Sequence, residues 1–168
     1  MNKKNTNNKG FTLVELIVVL VILAILAAIL VPALLGYIDR AREKQYVLNA
    51  KSALTAAQAE LSSLYGEGKY ELTAAKKTSI QNTADVPGTK FTIYTGKKLT
   101  ETDVKGYSTT ADKHAAYTVK AAIYVENGVY MVFYDGAWTG CQSESDAQAL
   151  ITDNNVKNNS IEIWAPSN

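Results

Sequence analysis

A single cysteine, Cys141, rules out an internal disulfide and any thiolate zinc cluster. If the chain is exported, packing alone stabilises it, or its setting is not strongly oxidising. One histidine, His114, leaves no His-x-x-x-His ligand pair, and its polar surroundings suit a solvated side chain. No Walker motif and no dinucleotide glycine fingerprint occurs. Asp146, Asp153, Asn154 and Asn155 could offer oxygen ligands to calcium, but their spacing fits no EF-hand loop and reads as a polar turn. Basic residues form no stripe with interleaved aromatics, so nucleic acid is not expected as a direct partner. These absences predict no enzyme activity, no cofactor and no metal.

Apolar sequence, by contrast, is concentrated in one place. Leu16 to Ile38 is a run of 23 residues without a charge. On a helix it spans about 35 Å, enough to cross a bilayer's hydrocarbon. A carboxylate, Glu15, stands at the N-terminal edge of this run. An ionised group beside hydrocarbon is costly and marks function.

Residues 1 to 10, Met-Asn-Lys-Lys-Asn-Thr-Asn-Asn-Lys-Gly, are basic and polar with no apolar segment of their own. A secretory signal is cut after its hydrophobic stretch. Here the candidate junction, Gly10–Phe11, precedes it, so the helix stays in the mature chain. Lys3, Lys4 and Lys9 favour a cytoplasmic leader, which sends the C-terminal end outward. Loss of these three from 17 cations leaves 14 against 16 carboxylates, a side-chain balance of −2 in place of +1.

Lys9-Gly10-Phe11-Thr12-Leu13-Val14-Glu15 followed by a long aliphatic run resembles the type IV prepilin signature. The resemblance covers residues 1 to about 64. It implies that a prepilin peptidase cuts after Gly10 and N-methylates Phe11, and that Glu15 is the carboxylate used in subunit assembly. The electrostatics agree. After cleavage Phe11 carries a cationic amine one helical turn from Glu15. In a bundle of such helices the amine of one subunit can neutralise the carboxylate of another. Desolvation offsets much of the attraction, so the pair's main contribution is register. Pairing within one subunit is the alternative. Unlike pilins that close a C-terminal loop with two cysteines, this chain has only Cys141, which suggests a Gram-positive type.

Pro32 and Gly36 interrupt the helical pattern and predict a kink near residues 28 to 32. It is either a tolerated transmembrane proline or a weak point that stretches during packing. The resemblance favours the second, since this region is often melted in assembled pili of the family. From Asp39 a charged collar, Asp39-Arg40-Ala41-Arg42-Glu43-Lys44, marks the exit from the bilayer. Beyond it Val47, Ala50, Leu54, Ala57, Leu61 and Leu64 form one apolar stripe, with Lys51, Ser52, Gln58 and Glu60 elsewhere on the cylinder. Gly66 and Gly68 end the helix. The expected domains are a removed leader (1–10), a transmembrane and filament-core helix (11–38), an amphipathic continuation (39–65) and a globular head (66–168). Counted from Phe11 the helix would be about 80 Å long.

Within the head, Lys90–Tyr94 reads as a short strand and the rest of residues 66–115 as a surface loop. Tyr117–Glu126 and Val129–Tyr134 read as strands joined by a type I′ turn at Asn127-Gly128. That register sets Val125 opposite Tyr130, Ile123 opposite Val132 and Tyr124 opposite Met131. One sheet face is expected to cover the helix stripe; the other, bearing Tyr124, Met131 and Phe133, would meet loops or neighbouring subunits. Ser143 is the expected N-cap of a helix through Ile151, and Ser160–Trp164 a terminal strand.

The fold expected is α+β and pilin-like: a long N-terminal helix, its outer half on a small antiparallel sheet. The function expected is that of a type IV pilin, more a major than a minor one. Its partners would be other copies of itself, the prepilin peptidase, the assembly platform, minor pilins and the cytoplasmic membrane. It would sit in that membrane with its head outside, then in an extracellular pilus serving adhesion, aggregation, twitching motility or DNA uptake. A pseudopilin of a secretion or competence system is the nearest alternative. A monomeric membrane-anchored binding protein is a remote one.

Overall fold

A computed structural model describes residues 10–165. The leader lysines Lys3, Lys4 and Lys9 lie outside the described residues. The chain divides into two units, one up to Arg42 and one from Glu43 onward.

The first unit is the apolar part of helix α1, which runs from Leu13 to Glu67 as one α-helical element. It continues through Pro32 and Gly36 without a break in assignment. Pro32 has no N–H, so the carbonyl four residues before it loses its usual donor. Every large aliphatic side chain here is exposed, from Leu13 at 74% to Ile38 at 38%. A helix apolar all round has no stable exposed state in water and must be covered by lipid or by other protein.

In the second unit α1 becomes one-sided. Ala50, Ala53, Ala57, Leu61 and Leu64 are fully buried, and Ala56 nearly so. Val47 and Leu54, expected in the stripe, are only partly buried, while Ala53 and Ala56, outside the expected stripe, are buried. Small side chains let large sheet residues such as Phe91 and Tyr124 share one core with the helix. The helix stops at Gly68, whose φ of 64° is left-handed. The Gly68 N–H donates to the Tyr65 carbonyl (3.2 Å) and the Lys69 N–H to the Leu64 carbonyl (3.0 Å), a Schellman closure. Gly66 itself remains helical.

Residues 66–115 are not the single surface loop expected around β1 (Lys90–Thr95). They hold three helices: α2 (Ala74–Ala84), α3 (Glu101–Gly106) and α4 (Thr110–Ala116). Each is short and weakly amphipathic, so hydrophobic periodicity does not reveal it. Their caps do. The side chains of Thr73, Thr100 and Thr109 accept the N–H groups of Lys76, Asp103 and Asp112.

Strands β2 (Val119–Glu126), β3 (Val129–Tyr134), β4 (Ala137–Cys141) and β5 (Ser160–Trp164) complete an antiparallel sheet of order β4-β3-β2-β1-β5. The β2–β3 register is the expected one, with Val125 opposite Tyr130, Tyr124 opposite Met131 and Ile123 opposite Val132. Asn127 and Gly128 have φ of 50° and 78°, as a type I′ turn needs. Asp135-Gly136 repeats these angles and makes a second hairpin to β4, a strand the sequence reading passed over. β2 starts two residues later than expected because Gln58 intervenes. Its amide donates to the Tyr117 carbonyl and accepts from the Val119 N–H, both at 2.9 Å.

The two sheet faces are the reverse of the expectation. Tyr124, Met131 and Phe133 pack with the helix residues Ala50 to Leu64. Ile123, Val125 and Val132 pack instead with Ala147, Ile151 and Val156 from α5 (Glu144–Leu150), its C-terminal flank and α6 (Asn154–Lys157). Alternation fixes which residues share a face, but both faces of this hairpin are apolar, so the pattern does not say which one meets the helix. The expected N-cap Ser143 does start α5, accepting the Asp146 N–H at 3.1 Å.

Candidate functional site: the amino-terminal tip

Gly10 and Phe11 precede the first helical turn and lie in no regular element. Phe11 is 90% exposed, and among the described residues beyond its chain neighbours no atom comes within 4 Å of where a Gly10 side chain would be. The peptide between them is therefore open to a protease, and nothing among the described residues demands glycine at position 10.

Thr12 is the residue on which the helix begins. Its N–H and its hydroxyl each donate to Glu15 Oε2 at 2.8 Å, and the Glu15 N–H donates back to Thr12 Oγ1 at 3.2 Å. This is a capping box, which satisfies two orphan N–H groups at the start of a helix and places an anion at the positive end of its dipole. Thr12-x-x-Glu15 is a legible sequence signature of that motif, and Thr12 is the Glu15 partner that the sequence reading missed. Glu15 is thus held by its own N-cap.

Gly10, Phe11 and Glu15 therefore meet at one end of α1. Pro32 and Gly36 do not join them: Pro32 stands 17 residues beyond Glu15, about 25 Å along a helix.

The singled-out residues of the head have local duties. Cys141 is half-buried on β4, its thiol against the Tyr130 and Ser143 carbonyls; burial, then the nearby Asp146 carboxylate, push its pKa up. A raised thiol pKa opposes nucleophilic reactivity. Exposed His114 takes a 2.9 Å hydrogen bond with the Tyr65 hydroxyl. Asp146 and Asp153 belong to the caps of α5 and α6. Among the described residues, no three of His, Cys, Asp and Glu gather as a metal would require.

α1 is long and apolar enough to cross a membrane, with a window of mean hydropathy 3.3 and none of that window buried. An anchor in the membrane before assembly accounts for it. No curated protein and no solved structure matches the chain. Residues 5–31 match the family model described as the prokaryotic N-terminal methylation motif, a structural motif and not that of an enzyme family. With the long apolar helix and the small antiparallel sheet, this match shows that the chain carries the type IV pilin signature and supports a pilin-like or pseudopilin precursor.

Proposed function

We propose that this protein is a structural subunit of a type IV pilus, cut after Gly10, N-methylated on Phe11 and polymerised through α1. The observation that carries the reading is the conjunction at one tip: an open Gly10–Phe11 junction, Glu15 on the first turn, and then an aliphatic surface with no cover. Cleavage frees an amine at Phe11. In the filament the amine of one copy neutralises Glu15 of another, and the apolar helices exchange lipid for each other. Repetition of one contact that does not close gives a helical fibre. The membrane-spanning segment is 11–38, the amphipathic part 39–65 and the head 66–168. Pro32 and Gly36 mark the point where α1 bends or stretches during packing. Prepilin peptidase, the assembly platform and minor pilins are the partners.

Mass spectrometry of surface material sheared from cells tests this. The expected result is fibres whose subunit begins with methylated Phe11. A subunit that retains residues 1–10, or a dispersed head without α1, overturns the reading. A pseudopilin would give the same N-terminus without long surface fibres.

A further inference from the structure

We propose that β4 is a docking edge for β4 of a second copy of this chain, the two strands pairing antiparallel about a two-fold axis through Thr139. A fibre generated by one repeated operation contains no such two-fold, so this contact is separate from the one that builds the fibre and does not rest on it.

The sheet has two outer strands, β4 and β5. An outer strand leaves main-chain donors and acceptors free to pair with another chain, and proteins guard it with charge, proline or a bulge. β5 is guarded: its pairing with β1 shifts register between Phe91 and Thr92, and it carries exposed Glu162. β4, Ala-Trp-Thr-Gly-Cys, has no charge and no proline, and its register with β3 is unbroken. Tyr134 and Ala137 flank the Asp135-Gly136 turn, so they form a hydrogen-bonded pair, as do Val132 with Thr139 and Tyr130 with Cys141. The N–H and C=O groups of Trp138 and Gly140 therefore point away from β3, and among the described residues they have no hydrogen-bond partner.

The strand is complementary to itself. With the axis at Thr139, Trp138 of each copy stands opposite Gly140 of the other, so the outward donors and acceptors meet their counterparts. The side chains match as well. Opposite residues share a face, and Trp138 lies on the α1 face, its ring 5.4 Å from that of Phe133. Gly140 is exposed on that face, with only the Met131 side chain within 4 Å of where its own side chain would begin. Its φ is not positive, so the backbone does not call for glycine. A strand glycine without that need marks close approach by another chain, and here the second copy's Trp138 fills the gap. On the other face Thr139 meets Thr139 and Ala137 meets Cys141, with no like charges opposed. The contact is small beside a stable dimer interface, so it forms where copies are crowded, as in a membrane.

Ala137→Cys in the full-length chain, concentrated in detergent and mildly oxidised, gives the direct test. Across the paired strands position 137 and Cys141 form a non-hydrogen-bonded pair with Cα atoms about 4.5 Å apart, within disulfide reach. Within one strand they are about 13 Å apart and cannot join. The expected product is a dimer whose digest links position 137 to Cys141, at least tenfold over links of 137 to 137 or 141 to 141. Thr139→Cys with Cys141→Ala should join 139 to 139. Adding Thr139→Lys to Ala137→Cys sets two cations face to face and should cut the 137–141 link at least tenfold. Ser160→Lys, on the guarded edge, should leave it unchanged. Links in another register, no link from the cysteine variants, or equal effects of the two lysines overturn the proposal. None of these readouts needs cleavage or fibres, so failure of the pilus reading leaves them standing.

Discussion

Thr12 and Glu15 hold one another at the start of α1: two donors of Thr12 converge on one Glu15 oxygen at 2.8 Å, and the Glu15 N–H returns the contact at 3.2 Å. Glu15 therefore has two separable properties, a capping geometry and a charge. Glutamine keeps the first and loses the second. If assembly depends on charge neutralisation, Glu15→Gln and Glu15→Ala should both be cleaved normally and both fail to enter fibres. Fibre yield from Glu15→Gln near that of wild type would assign the role to capping.

Among the described residues Gly10 has open space around it, so a side chain meets no clash there. Gly10→Val should fold, insert in the membrane and remain uncut, with its mass higher by the leader. Normal processing of this variant would place the cleavage elsewhere.

In the head, Leu61 is fully buried against the sheet, whereas Leu48 on the same helix is 62% exposed. Leu61→Ala should destabilise the head by about 2–5 kcal/mol. Leu48→Ala should stay within about 0.5 kcal/mol of wild type. Thermal unfolding of the detergent-solubilised chain separates the two, and equal effects would contradict the one-sided packing.

A side chain at Gly88 has no room. Its Cβ would overlap the ring of buried Tyr124, 2.5 Å from Cζ and 2.7 Å from the hydroxyl oxygen. That ring is fixed by its bond to Glu126, so it does not yield easily. Gly88→Ala should cost roughly 1–3 kcal/mol, and it should also disturb the Trp164 Nε1–H to Gly88 carbonyl bond that ties β5 in place. Unchanged melting would show that Tyr124 can rotate away.

Glu67 joins α1 to α2 through Lys76 (3.1 Å) and also meets Lys69 (2.8 Å). Hydrogen bonds from Lys69, then Lys76, then Ser63 lower its pKa from 4.5 to about 2. A depressed folded-state pKa means stability that is present above the unfolded value and is lost as pH falls through the folded one. The melting-temperature gap between wild type and Glu67→Gln should be full at neutral pH, shrink below about pH 4.5 and be almost gone by about pH 2. Because the groups are exposed, added salt should narrow it as well. A gap that persists near pH 2 would point to packing and not charge.

Much of this was legible in order of sequence. The tip is written in consecutive residues: Gly10-Phe11 and Thr12-x-x-Glu15 act through contacts no more than one turn apart. The Asn127-Gly128 hairpin and the Ser143 cap are local for the same reason. Helices α2 to α4 were hidden because an 11-residue or shorter helix with a mixed surface has little periodicity, although Thr73, Thr100 and Thr109 announce their starts. Gln58 looked like a solvent-facing residue, and its role in closing the start of β2 depends on a partner 61 positions away.

The sequence by itself determined the methylation motif at the amino-terminal tip, the uncovered apolar helix and the pairing of β2 with β3, because each rests on short-range spacing and chain chemistry. Only the tertiary structure decided which sheet face receives α1, and it alone brought Asn49 to Glu126 across 77 positions. Hydrophobic alternation is symmetric between two apolar faces, and a long-range hydrogen bond leaves no trace in neighbouring residues; the packing of the whole head breaks that symmetry.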